Sequence, residues 1–353
     1  MRLCWLGTLG GLESRAYGVA LIAPVVVGWS YDAFGKKRAF RWWNSTMQDL
    51  GTLGGHESAA YGVSENGDFV VGWAYDGLGR KRAFRWTAVG GMQDLGTLGG
   101  HESEAYSISA NGQVVVGWAE DHNKQRRAFY WDQGGMHDLG TLGGNNSEAC
   151  SVSAGGELVV GWSENARGRH EAFYWMQHHG IMALPVPRGT NHSYALGMTP
   201  EPILFRRQSI YQITGYATTS VGTHHGLIWE LRQQTVPPTS APPVVSLKMV
   251  LGASLTISKA YSASYDPPPA SGSVGMSLTV VGEWNTNAAL WRIPRQSRSQ
   301  CMGICLLPTF PTCFSRLEVA RAICSFRSNP RLVVGWGYNS QGVRTEAFLL
   351  EMP

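Results

Sequence analysis

Short runs of Val, Ile, Tyr, Phe and Trp, separated by Gly, Asn, Asp and Ser, punctuate the whole chain, and no helical period is sustained anywhere. Runs of this kind between turn residues predict strands. In one stretch the pattern predicts four of them, at 105–109, 113–119, 127–132 and 135–141. Asn66-Gly67 and Asn111-Gly112 predict tight hairpins with primed turns, because Asn and Gly tolerate positive φ. The strands are apolar on both faces: Phe84 and Trp86 lie on one side, Ala83 and the stem of Arg85 on the other. A four-stranded sheet with two apolar faces has to stack on similar sheets, which is the logic of a propeller blade.

The pattern repeats. Leu6-Gly7-Thr8-Leu9-Gly10-Gly11 recurs at residues 50–55, 95–100 and 139–144, each time followed by Ser-x-Ala, Val-Val-Gly-Trp and Ala-Phe-x-Trp. The glycine of Val-Val-Gly falls at Gly28, Gly72, Gly117 and Gly161, a period of 44 or 45 residues. Three eroded copies follow. Their glycine step is at Gly215, Gly282 and Gly335, and their Ser-x-Ala step at Ser193-Tyr194-Ala195, Ser258-Lys259-Ala260 and Ala320-Arg321-Ala322. The chain opens on an outer-strand motif at residues 3–10 and ends on a third-strand motif at 346–351, so each end supplies what the other lacks. The expected fold is therefore all-β: a seven-bladed β-propeller of four-stranded antiparallel blades, closed by the N-terminal strand completing the last blade. One domain spans 1–353. Blades one to four are regular over about 12–190, blades five to seven diverge with insertions over about 191–353, and residues 1–11 complete blade seven.

The combination Asp94-Leu95-Gly96-Thr97-Leu98-Gly99-Gly100, Ser103-x-Ala105, Val115-Val116-Gly117-Trp118 and Ala128-Phe129-x-Trp131 resembles the HAF-type bacterial extracellular repeat. The resemblance covers the first four copies closely and the remaining half weakly. The His of the name-giving His-Ala-Phe step is replaced by Arg38, Arg82, Arg127 and Glu171. The resemblance implies an exported bacterial propeller of undefined biochemical role, with no catalytic residues to carry over. The first ten residues read as a strand and lack the apolar core of a signal peptide, which leaves open either a leader removed from this chain or an intracellular protein.

The 353 residues contain 43% hydrophobic and 15% charged positions, with 44 Gly and 14 Trp. That composition excludes a disordered chain. A net charge of +4 is too mild for a dedicated nucleic-acid binder, and no apolar run is long enough for a membrane-spanning helix. No phosphate loop, nucleophile elbow or metalloprotease motif is present, so no cofactor or metal is expected. The spacing of Cys301, Cys305, Cys313 and Cys324 fits no zinc site; they read as buried small hydrophobes or as a disulfide within 301–324.

Two surfaces remain as candidates. His56-Glu57-Ser58, His101-Glu102-Ser103, Asn145 and His192 fall where one blade is expected to pass to the next, in loops at the ring mouth. They read either as backbone-bonding structural positions or as ligand-site and acid–base groups of a hydrolase or lyase. Basic tripeptides such as Lys36-Lys37-Arg38 and Arg80-Lys81-Arg82 share that face with enough Asp and Glu to form a salt-bridged rim. The Trp positions of the repeat read as inter-blade packing or as a carbohydrate surface.

The second surface appears where the repeat breaks. Residues 1–175 hold 15 basic and 18 acidic side chains, whereas 176–353 hold 14 and 7. Insertions at 199–211, 232–245, 266–275 and 294–300 are expected on one face. With Arg206, Arg207, Arg232, Arg295, Arg298, Arg327 and Arg331 they would form a positive crescent. The leading expectation is a non-catalytic binding or scaffold propeller, engaging a protein or an anionic polysaccharide through that crescent.

Overall fold

A computed structural model describes residues 2–20, 22–205, 208–234, 243–251, 258–265, 277–284, 287–294, 304–306, 316–324, 331–338 and 345–352. The described elements are all strands. They form antiparallel sheets, six of four strands and one of five.

Sheet three represents the regular copies. Its strands Gly99–Ile108, Val115–Asp121, Arg126–Asp132 and Gly135–Asp138 pair in that order. The first strand starts six residues before the point the sequence pattern marks. Gly99 already pairs with Asp121, and an irregularity before Ser103 lets the strand continue through a stretch that does not alternate. The hairpin between the first two strands of sheet two also differs from expectation. Asn66 keeps an ordinary φ, only Gly67 is left-handed at +79°, and its N–H donates to the Ser64 carbonyl at 3.0 Å. This is a four-residue turn closed by a left-handed glycine rather than a two-residue primed turn.

Stacking explains the doubly apolar strands. Val26 and Phe40 pack with Val334 and Leu349 of the last sheet, while their neighbours Val27 and Ala39 pack with Val70 and Phe84 of sheet two. The same division joins sheet two to three (Val71 with Phe129), three to four (Val116 with Phe173) and four to five (Val160 with Ile213 and Trp229). The repeated Trp residues serve this packing: Trp42 and Trp86 lie in these interfaces, and Trp29, Trp73 and Trp118 are buried.

Five junctions carry a buried serine: Ser14, Ser58, Ser103, Ser147 and Ser193. Ser103 Oγ accepts the Ala83 N–H of the preceding sheet at 2.9 Å and donates to the Gly96 carbonyl at 2.6 Å. Ser58 binds Ala39 and Gly51 in the same way, and Ser147 binds Ala128 and Gly140. Ser14 binds Gly7 and reaches Ala347 in the final strand, 333 positions away in sequence. The N-terminal strand Arg2–Trp5 pairs with Thr345–Met352, and the first strand of each sheet lies beside that of the next, Arg316–Cys324 beside Gly10–Val19 included. In the eroded copies Ala195 and Ala260 stand opposite Gly215 and Gly282 as the template requires. In the last copy it is Ala320, not Ala322, that faces Gly335, so the degenerate Ser-x-Ala step is displaced from the position the sequence assigns.

Part of the 199–211 insertion is not a loop: Ile203–Phe205 turns back to pair with the start of Gln208–Thr219 and gives sheet five its extra strand. Most of the other three insertions lies outside the described residues, as do Cys301 and Cys313. Cys305 and Cys324 fall in the strands Ile304–Leu306 and Arg316–Cys324.

Replacing Ser103 by Ala leaves the buried Ala83 N–H and the partly buried Gly96 carbonyl unpaired between two sheets, a loss of about 1–3 kcal/mol. Urea unfolding is expected to show an earlier midpoint of that size for Ser103→Ala, with no comparable change for Ser45→Ala on an exposed turn.

Candidate functional site

The extended first strand moves the histidine candidates out of loops. His56 and Glu57 lie within Gly54–Val63, His101 and Glu102 within Gly99–Ile108, Asn145 within Gly143–Val152, and His192 within Thr190–Met198. Each belongs to a different sheet and is occupied locally. The His56 ring stacks on Tyr75 at 4.5 Å and 12°. The N–H groups of His101 and Glu102 both donate to the Glu120 carboxylate, at 3.0 and 3.2 Å. Those of Asn145 and Asn146 donate to Glu164 at 3.2 and 3.1 Å. His192 Nδ1 accepts the backbone N–H of His170 at 3.1 Å. In three of the four sheets the positions thus serve main-chain bonding near the strand irregularity. No three His, Cys, Asp or Glu side chains converge as a metal site among the described residues.

A different layer of side chains is built at the junctions of the regular copies. In the first three sheets the tryptophan after the glycine step donates Nε1–H to a first-strand tyrosine: Trp29 to Tyr17, Trp73 to Tyr61 and Trp118 to Tyr106, at 3.4, 3.1 and 3.1 Å. The first residue of the third strand lies over that ring. Lys37 Nζ is 4.6 Å from the Trp29 centroid, Lys81 Nζ 4.5 Å from Trp73, and the Arg126 guanidinium 4.2 Å from Trp118. In sheet four His170 stacks on Trp162 at 4.2 Å.

These cations also reach the following sheet. Lys81 Nζ pairs with Glu104 at 3.1 Å and Arg126 Nη1 with Glu148 at 3.0 Å, both acids being almost fully buried. Burial raises the Glu148 carboxyl above its ordinary value although Arg126 opposes this, and nearby Glu104 adds to the rise. Burial, then the Glu104 charge, pushes the Tyr61 and Tyr106 phenols well above the ordinary tyrosine range. Cys150 stands in sheet four where the others have these tyrosines, and burial, with the Glu148 charge, raises its thiol above the ordinary cysteine value. Glu104 is not legible as a site residue, because the repeat places Arg15, Ala59, Glu148 and Tyr194 at the same register opposite Trp29, Trp73, Trp162 and Tyr216. The outer tripeptide residues form the expected rim: Arg38 with Asp32, Arg82 with Asp94, and Arg127 with Asp138, at 3.2, 3.0 and 3.0 Å.

Of the arginine crescent, Arg206, Arg207, Arg295, Arg298 and Arg327 lie outside the described residues. Arg331 opens the strand Arg331–Tyr338, opposite Met352. Arg232 is ion-paired with Glu230, an acid the sequence argument leaves out, and Glu230 also accepts a hydrogen bond from Gln212 at 3.0 Å. The Arg232 charge is therefore neutralised within its own sheet.

His170 does not stand out in the sequence, yet it sits at the junction of sheets four and five, bonded through Nδ1 to Tyr194 Oη at 2.8 Å and 3.7 Å from Glu164. Burial and the adjacent His192 lower its pKa against the opposing pull of Glu164. A histidine whose folded value is depressed favours the folded state above its unfolded value of about 6.5 and loses that advantage as pH falls through it. Thermal stability is expected to decline on acidification through this range, and the His170→Asn variant to show a shallower decline; an unchanged slope would contradict the assignment.

No family model and no curated protein matches the chain. Among solved structures it is similar to TolB from Acinetobacter baumannii at 12% identity and a TM-score of 0.43, over 67% of this chain and 53% of that one. It is also similar to AofleA from Arthrobotrys oligospora at 13% identity and a TM-score of 0.40, over 87% and 89% of the two chains. The chain thus spans about half the length of the Acinetobacter TolB it is similar to.

Proposed function

We propose that the chain is a non-catalytic binding propeller of seven blades closed into a ring, exported from a bacterial cell. Its divergent half engages an anionic polysaccharide or an acidic protein surface. Ring closure is supported by the terminal strand pairing and by a shared bonding pattern. Ala347 donates to Ser14 and accepts from Leu6, as Ala39 donates to Ser58 and accepts from Leu50. Export rests on the resemblance of the first four copies to extracellular repeats.

The observation that carries the binding surface is how charge is distributed. In the regular copies Arg38, Lys81, Arg82, Arg126 and Arg127 meet acids in local or cross-sheet pairs, and residues 1–175 hold 15 basic against 18 acidic side chains. The excess of 14 basic over 7 acidic residues belongs to 176–353, where the insertions occur. An unbalanced set of guanidinium groups attracts polyanions by long-range field and by paired hydrogen bonds to carboxylate or sulfate. Arg232 is left out of that set because Glu230 neutralises it.

The protein is expected to be retained on immobilised heparin at low ionic strength and released as salt screens the field. The variant combining Arg206→Ser, Arg207→Ser, Arg295→Ser and Arg298→Ser is expected to elute at clearly lower salt, while Arg232→Ser elutes with the parent. Absence of retention of the parent at low salt overturns the proposal.

A further inference from the structure

The turns between second and third strands are built alike in the first five sheets and differ at their tips. In each, the N–H of the fourth residue donates to the carbonyl of the first, as Gly35 does to Asp32, Gly79 to Asp76 and Gly222 to Thr219, all at 3.0 Å. That fourth residue is left-handed, with φ from +59° to +81°. In the first four sheets the side chain of the opening residue, Asp32, Asp76, Asp121 or Asn165, accepts two further turn N–H groups. The third residue of the turn, held outward by this bonding, is Phe34, Leu78, Asn123, Arg167 or Val221. Phe34, Leu78 and Val221 are 89, 77 and 83% exposed. One exposed apolar residue is ordinary on a protein surface, but three at the same position of the same rigid turn mark a face. Leu12, also exposed, extends the Phe34 tip, since Gly10 two residues before it pairs with Asp32 at the turn's start.

Consecutive tips stand at the same end of the stacked sheets, because the residues that follow each turn meet the first strand of the next sheet. Ala39 N–H reaches Ser58, Lys81 pairs with Glu104, and the N–H groups of Arg126 and His170 donate to Asn146 and His192. The five connecting segments, 33–36, 77–80, 122–125, 166–169 and 220–223, contain five bases and no acid. Arg80 is held by Asp76, whereas Lys36, Lys124, Arg167 and Arg169 have no acid in salt-bridge range among the described residues. The connections at the other end of the first four sheets have the opposite character: they contain Glu65, Asp68 and Glu157 and neither Lys nor Arg. Apolar tips among unpaired bases fit a surface that is anionic outside and apolar beneath. The tips stand on separate sheets, one per turn, so a rigid partner would need a matching pocket for each, whereas a bilayer takes separate side chains between its headgroups. We propose that this end of the stack docks on a bilayer of anionic phospholipid, with Phe34 and Leu78 entering the headgroup region and Lys36, Lys124 and Arg167 lying against the phosphates.

Co-sedimentation with vesicles of equal parts phosphatidylglycerol and phosphatidylcholine, and with phosphatidylcholine alone, measures the docking. The protein is expected to bind the anionic vesicles at low ionic strength and the neutral ones about tenfold less. The double variant Phe34→Ser, Leu78→Ser is expected to bind anionic vesicles about tenfold or more weakly than the parent, the loss typical of withdrawing two large apolar side chains from a lipid phase. Val89→Ser, which removes a fully exposed apolar residue at the other end of sheet two, is expected to bind as the parent does. Phe34 and Leu78 lie in solvent, so the urea midpoint of the double variant is expected to equal the parent's. Heparin distinguishes this docking from the polyanion binding proposed for the divergent half: a soluble polymer offers no apolar phase, so the double variant is expected to elute from heparin with the parent while losing vesicle binding. Full vesicle binding without the two tips, equal binding to neutral vesicles, binding to neither, or an equal loss in Val89→Ser overturns the inference. Binding of soluble polyglutamate without binding of vesicles assigns this face to an acidic protein instead and overturns it as well.

Discussion

The rest of the structure depends on a hydrogen-bonded serine at each of five junctions, Ser14, Ser58, Ser103, Ser147 and Ser193. A third strand inside a stack of sheets has an alanine whose N–H and carbonyl point past the end of the short fourth strand. Both groups need partners because water is excluded. The carbonyl accepts from the leucine that follows the fourth strand, as Ala83 accepts from Leu95, and the N–H donates to the serine of the next sheet. The serine O–H then donates a hydrogen bond to a glycine carbonyl in the connecting Leu-Gly-Thr-Leu-Gly-Gly segment. One hydroxyl thus fixes the sheet before it, the connection and the sheet after it.

That requirement explains why the repeat is spelled as it is. The connecting glycines Gly7, Gly51, Gly96 and Gly140 are left-handed, which turns their carbonyls toward the serine at no steric cost. The glycine of Val-Val-Gly has a different reason. A Cβ on Gly117 would lie 2.0 Å from the Glu104 carbonyl oxygen, so the first strand can cross close to the second only if that side chain is absent. Arginines add a second tie at the opposite end of the junction: Arg41 and Arg85 donate to the Gly67 and Gly112 carbonyls of the next sheet, at 3.1 and 2.9 Å.

The junctions differ in chemistry where this spelling lapses. A regular junction satisfies its cation, its carboxylate, its tryptophan and its tyrosine among themselves, which suits cohesion and leaves little for a ligand. Ala59 breaks that closure on one side of sheet two, and histidine with tyrosine replaces the ion pair between sheets four and five. The His-Glu and Asn-Asn steps of sheets three and four hold backbone positions instead, because Glu120 binds the main-chain N–H groups of His101 and Glu102 and Glu164 those of Asn145 and Asn146.

The sequence by itself determined the strand type, the length of the repeat, its four-strand unit and the pairing of its two ends. Those follow from local apolar pattern, turn residues and spacing, which act within a few residues and are repeated often enough to read. Only the tertiary structure decided where each first strand begins, because the entry of Gly99 into the sheet is stabilised by pairing with Asp121 rather than by any local preference. It also decided which charges meet. Lys81 and Glu104 are 23 positions apart and Arg126 and Glu148 are 22 apart, so they join through the stacking of separate sheets and not through any motif. The same stacking gives Ala59 its meaning: it stands opposite Trp73 in the register that Glu104 and Glu148 hold in the next two sheets, which an alanine in a strand does not announce by its sequence.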